Sequence, residues 1–219
     1  MTNAERKQNI LFSVEGETEH WYLSWLQKTI NASPEAKYKV KLDSKVEKNP
    51  VSRVKRMTIL GKTHITHMID VESLEPIHVK QFGTALDQMR AAENTGKNIE
   101  YHLGYSNFTF ELWMILHMAD CNSTLTYRQQ YLTHLNRAYG VNFENLKQYK
   151  EEKNFQKMLD KLSLDHVRQA IRRSKVIMKR CEEKGFKPRQ YRKYMYYEEN
   201  PSLSVWEQIE KILQDCEIL

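Results

Sequence analysis

Three carboxylates crowd into six residues near the start of the chain. The stretch VEGETE, Val14 to Glu19, sets Glu15, Glu17 and Glu19 around Gly16. The apolar run Ile10-Leu11-Phe12 stands before it, and HWYLSWLQKTI follows, with Trp21, Tyr22, Trp25, Leu26 and Ile30 at helical spacing. The acids therefore sit where a buried strand hands over to a helix. In open α/β sheets that is the end where ligands bind. Two readings are open. Thr18 and Glu19 can cap and polarise a helix N-terminus in solvent. Alternatively, a carboxylate at a strand end, beside a glycine that lets the backbone turn, can hold a divalent ion.

A second acidic group, Asp70-Val71-Glu72, follows the strand-like run His64 to Ile69. Residues two apart on an extended chain face the same side. If the two strands are parallel neighbours, Glu15, Asp70 and Glu72 form an oxygen ligand set for Mg²⁺ or Mn²⁺, with Glu19 as a fourth donor or a base. A third constellation is SNFTFELWMILH, Ser106 to His117. Ser106 and Asn107 end a strand, and Glu111 lies in an otherwise apolar helix, where a charge needs a partner or a role. Glu111 and His117 are six residues apart, about 240° of helical rotation, so they face different ways. Asn107 and Glu111 are expected to face the acids. His117 is expected to point into the C-terminal part as a structural residue.

The elements that must position these groups alternate. Strands are expected at Ile10–Phe12, Tyr38–Leu42, His64–Ile69 and Ile99–Tyr105, with helices between them and after the last, including Val51–Leu60, His78–Asn94 and Phe110–Met118. Such alternation predicts a mainly parallel sheet with helices on both faces. From Asn122 the pattern becomes helical: Tyr127–Ala138, Phe143–Lys150, Asn154–Leu162, Asp165–Cys181 and Ser202–Asp215. The division expected is an α/β core over 8–118 and a basic helical region over 119–219 packed on it.

Composition narrows the class. The 219 residues are 40% hydrophobic and carry a net charge of +6, enough for a real core and mildly favourable to an anionic partner. Cys121, Cys181 and Cys216 have neither CxxC nor zinc spacing, as expected of free thiols in a reducing compartment. The opening MTNAERKQNI lacks an apolar leader core, so a soluble cytoplasmic protein is expected. Charge is uneven: Lys147 to Met195 holds sixteen Lys/Arg and six Asp/Glu. That flank, with Arg172, Arg173 and the run Tyr191-Arg192-Lys193-Tyr194-Met195-Tyr196-Tyr197, reads as a nucleic-acid surface in which tyrosines stack on bases. A solvated lysine-rich face is the plainer alternative.

VEGETE after an apolar strand, SNFTFELWMILH, QAIRRSK (Gln169 to Lys175) and ENPSLSV (Glu199 to Val205) occur in this order. Over nearly the whole chain this resembles the RloB family. The resemblance implies a Toprim-like fold, related to the catalytic domain of topoisomerases and primases. It places the fold's strand-end glutamate at Glu15, the acidic pair at Asp70 and Glu72, and a second glutamate at Glu19. Glu72 stands where the fold's pattern has Asp, and Phe108 where the family commonly has Pro. The resemblance also implies a role at restriction loci and in abortive phage defence, with an ATPase partner. Related immune Toprim proteins are nucleases, some acting on tRNA.

The expected function is thus metal-dependent phosphodiester cleavage of DNA or RNA. Glu15, Glu19, Asp70, Glu72 and Glu111 are the catalytic set, and Glu15, Asp70 and Glu72 hold Mg²⁺ or Mn²⁺. Ser106, Asn107, Arg172, Arg173, Tyr191, Arg192 and Lys193 bind substrate. No tyrosine stands out as a covalent nucleophile. The competing class is a non-catalytic subunit that docks on nucleic acid or an ATPase partner, and a dimer is compatible with the sequence.

Overall fold

The computed structural model describes residues 8–219; most of the stretch read for a leader lies outside them. Strands β1 (Gln8–Val14), β2 (Val40–Val46), β3 (Thr63–Val71) and β4 (Ile99–Asn107) form one parallel sheet in the order β2-β1-β3-β4. The chain moves outward from β1 to β2, then crosses back to place β3 on the other side of β1. This reversal makes the C-terminal ends of β1 and β3 the switch point, the place where such sheets bind ligands. The expected α/β class holds.

Helices cover both faces. Helix α1 (Glu17–Ala32) returns on the face that carries Phe12, Val14 and Met68. Helices α2 (Pro50–Lys55) and α3 (Pro76–Glu93) cover the other, over Leu11, Ile65, Ile69 and Tyr101. Each starts with proline, whose missing N–H costs nothing in the first turn. Asn49 caps α2 by accepting the Ser52 N–H at 3.0 Å. The helix stops at Lys55 rather than continuing to Leu60, which is 97% exposed and has nothing to pack on.

Helix α4 (Glu111–Met118) follows β4. Residues Glu111 to His117 are all buried, as befits a helix that is apolar nearly all round. It is wrapped by α5 (Gln130–Tyr139) and α8 (Leu164–Glu183), with α6 (Leu146–Tyr149), α7 (Glu152–Leu159) and α9 (Val205–Asp215) completing the shell. One apolar core runs from Phe12 to Ile218 across the expected boundary at 118. The C-terminal helices and the sheet thus share a single interior.

The helical reading of the C-terminal part omitted a hairpin. Strands β5 (Arg189–Tyr191) and β6 (Tyr194–Tyr196) pair antiparallel across Arg192 and Lys193, with Arg192 at φ +58°. Tyr194 and Tyr196 point into the α3 face of the sheet. No helix of the described residues is long and apolar enough to cross a membrane.

Candidate functional site

The acids meet at the β1–β3 switch point. Glu15 leaves the end of β1, and its Oε2 accepts the Asp70 N–H at 3.4 Å, which ties the two strand ends together. Glu19 comes from the first turn of α1, is only 7% exposed, and accepts the Thr18 hydroxyl at 2.9 Å. Thr18 thus supports Glu19; Gly16 occupies the N-cap position in its place. A Cβ on Gly16 would lie 3.0 Å from Glu19 Oε2, so the glycine makes room for the second carboxylate. Glu111, 1% exposed, enters from the start of α4 and accepts the Thr109 hydroxyl.

Two cations answer this group. Arg128, in the turn before α5, donates Nε–H to Thr109 Oγ at 3.0 Å. Its terminal nitrogens stand 3.7 Å from Asp70, 3.5 Å from Glu72 and 3.9 Å from Glu111. Lys150, just after α6, lies 3.2 Å from Glu111. The guanidinium contacts are too long for good hydrogen bonds. Arg128 therefore balances charge without being locked to any one acid.

Burial dominates the electrostatics. It pushes the Glu15 carboxyl up from 4.5 to about 7, against the opposing Asp70 N–H and with help from Glu19. Burial likewise raises Glu19 and, with the neighbouring Glu19 and Glu111 charges, holds Asp70 well above the usual carboxylate range. For Arg128, burial works against the charge, and Glu111, Asp70, Glu72 and Glu19 outweigh it. A group of acids that resists ionisation gains strongly from any further positive charge.

Of the expected trio, Glu15 and Asp70 meet directly through the Asp70 N–H. Glu72 stays on the rim, 42% exposed, with His78 Nε2 at 3.2 Å from its carboxylate. The strand ends at Val71, so the period-two alternation no longer aims residue 72. Glu19 lies beside both Glu15 and Asp70, and Glu111 beside Asp70 and Glu19. Among the described residues, no three of these acids bring one oxygen each within 4.8 Å of the others. Arg128 stands between them.

Other expected contacts fall elsewhere. Ser106 lies beside Asp70 in register, its hydroxyl buried without a partner. Asn107 does not face the acids. Its amide reaches the carbonyls of Tyr197, Glu198 and Glu199 at 2.9–3.1 Å and the Ser202 hydroxyl at 3.2 Å. Asn107 thereby holds ENPSLSV along the outer edge of β4, where Ser202 and Ser204 pair with its backbone. His117 is structural as expected, but its partners are on α1 and its own helix. Its Nδ1–H donates to Trp113 O at 2.9 Å, which leaves Nε2 to accept the Tyr22 hydroxyl at 3.1 Å. Burial lowers its pKa to about 3.

Part of the basic surface is paired with acids. Arg173 donates to the Leu116 and His117 carbonyls and pairs with Asp120, so it closes the C-terminus of α4. Arg172 is exposed and touches Gln169. Tyr191 and Arg192 bind Asp87, and Lys193 binds Glu93, all on α3 across the sheet from α1 and α4. Tyr194, Tyr196 and Tyr197 are buried and present no ring for stacking. Arg128 and Lys150 carried no periodic or motif signal; only the fold brings them to the acids.

A sequence model of the RloB-like protein family matches residues 10–212. The chain belongs to the RloB-like protein family. Neither the curated proteins nor the solved structures give a match. The matched span takes in every member of the carboxylate group, both of its cations and the β4-edge segment held by Asn107.

Proposed function

We propose that this RloB-like protein is a Mg²⁺- or Mn²⁺-dependent nuclease that hydrolyses phosphodiesters of DNA or RNA, as an effector of antiphage defence. The observation that carries the chemistry is the gathering of Glu15, Glu19, Asp70 and Glu111 at the sheet's switch point. The defence role, a tRNA substrate and an ATPase partner draw their support from the motif resemblance alone. The donors are all hard carboxylate oxygens, which suits Mg²⁺ or Mn²⁺ better than softer metals. Glu15 and Asp70, with Glu72 at the rim, are the residues that would hold the ion, with Glu19 and Glu111 behind them and Arg128 displaced. A divalent ion in such a site neutralises phosphate charge and acidifies bound water.

The chain's own residues supply the rest. Arg128 and Lys150 already face the acids and are partly exposed, with side chains 32% and 36% open. With an ion compensating the acids, either can turn from a carboxylate to a phosphate oxygen. Phe108 holds the entry to α4 at φ +64°, with its N–H on Val71 O at 2.7 Å. A proline could do neither, so this turn is built differently from the family's common Ser-Asn-Pro form.

A non-catalytic subunit is the second reading, favoured by Arg128, which already compensates the acids. Two measurements separate the readings: calorimetric Mn²⁺ titration of the full chain, and cleavage of DNA and tRNA with and without metal. The nuclease reading expects saturable binding and metal-dependent cleavage, both lost in Asp70→Asn and Glu15→Gln. Binding or cleavage unaffected by both substitutions overturns it.

A further inference from the structure

The opposite edge of the sheet carries a second group of ligating side chains, unconnected with the acids. His64 lies near the start of β3, and Glu100 and His102 near the start of β4. His64 pairs in register with Glu100, and His102 with the next residue but one, Thr66. All three are even-numbered positions on paired parallel strands, so they emerge on one face. His64 Nδ1 is 2.9 Å from His102 Nε2 and 3.5 Å from Glu100 Oε2. One ligand atom from each residue lies within 4.8 Å of the other two. Among the described residues this is the one trio of His, Cys, Asp or Glu that does so.

The two histidines line a groove of about 760 Å³ between the strand starts and α9, whose walls include Lys62, Thr66, Gln208 and Lys211. Six residues of strand, roughly 20 Å, separate His64 from Asp70. The site is therefore independent of the carboxylate group in space. It also differs in chemistry, with two imidazoles and one carboxylate in place of an all-oxygen set.

We propose that His64, Glu100 and His102 bind a borderline transition-metal ion of the Zn²⁺ class. Two imidazoles select Zn²⁺, Co²⁺ or Ni²⁺ over Mg²⁺. With Zn–N bonds of about 2.0–2.1 Å, a tetrahedral ion sets its two nitrogens roughly 3.3 Å apart. The observed 2.9 Å needs to widen by only a few tenths of an ångström. Lys62 sits 2.9 Å from the same Glu100 oxygen. It is the competing cation and must swing away, which its 59% exposure permits. Three protein ligands leave a fourth position, facing the groove, for water or an anionic group.

The test uses untagged full-length protein and CoCl₂, whose visible absorption reports imidazole coordination, with ZnCl₂ competing. Wild type is expected to bind one Co²⁺ with nitrogen-ligand absorption, displaced by Zn²⁺ and not by Mg²⁺. His64→Gln and His102→Gln should each weaken binding by more than about tenfold. Asp70→Asn should leave it unchanged, so failure here and failure of the nuclease reading are distinguishable. His64 is exposed, so His64→Gln keeps the fold. Imidazole NMR signals of wild type, followed during Zn²⁺ addition, give a second readout. The proposal is overturned if Co²⁺ binds equally to wild type and His64→Gln, or if Zn²⁺ leaves both imidazoles unshifted.

Discussion

Replacing Glu15 with Gln should make the protein more stable, by an amount that grows as pH rises from 4.5 and is complete above about pH 7. The carboxyl is raised from 4.5 to about 7, chiefly by burial. The folded state thus prefers the protonated form, whereas the unfolded chain ionises near 4.5. Below pH 4.5 both states are protonated and the group costs nothing. Between 4.5 and 7 the unfolded state sheds its proton first and stability falls; above 7 the loss is complete. The span from 4.5 to about 7, at about 1.4 kcal/mol per pH unit, sets a ceiling of roughly 3 kcal/mol. Glu15 is partly exposed, so screening reduces the expectation to about 1–2 kcal/mol.

Gln keeps an oxygen to accept the Asp70 N–H, so the comparison isolates the charge. Urea unfolding of both proteins at pH 5 and pH 8 measures it. At pH 8 the variant should gain about 1–2 kcal/mol, or a few degrees in Tm for a chain of this size; at pH 5 the gain should be much smaller. Mg²⁺ at pH 8 should stabilise wild type more than the variant, because only wild type offers the full ligand set. An equal gain at both pH values, or a loss at pH 8, would refute the assignment of Glu15 as a buried carboxyl short of positive charge.

Arg128→Met removes the cation shared by Asp70, Glu72 and Glu111; thermal melts should show a loss of about 1–3 kcal/mol at pH 8 and less at pH 5, where raised carboxyls take protons instead. Asn107→Ala removes the amide donor that four acceptors of the 197–202 segment share. It should cost about 2–4 kcal/mol in urea unfolding, with greater protease cleavage near Glu199. Arg173→Glu should lower Tm by unseating the end of α4, while Arg172→Glu, on an exposed side chain, should leave Tm within about a degree. If nucleic acid crosses α8, a filter-binding assay at low salt will show the Arg172 change weakening it across sequences.

The alternation of short apolar runs with amphipathic stretches was enough to determine the parallel α/β sheet, because strand and helix periods are local properties of the chain. The strand-end acids Glu15 and Asp70 were legible for the same reason: a strand's C-terminal end can be read from where its apolar run stops. The hairpin at 189–196 was not, since its alternation spans three residues a side and its tyrosines are buried only because α3 lies beneath them. Sequence also misdirected Asn107, whose partners lie 90 to 95 residues away. The basic flank looked free because its partners, Glu35, Asp87, Glu93, Asp120 and Glu210, belong to other segments. Local pattern thus determined which residues end strands and which carry unsatisfied charge. Only the tertiary structure decided that Arg128 and Lys150 answer the acid group, and that His64, Glu100 and His102 meet at the far edge. Both depend on strand order and register, which arise from long-range packing and leave no periodic trace in the chain.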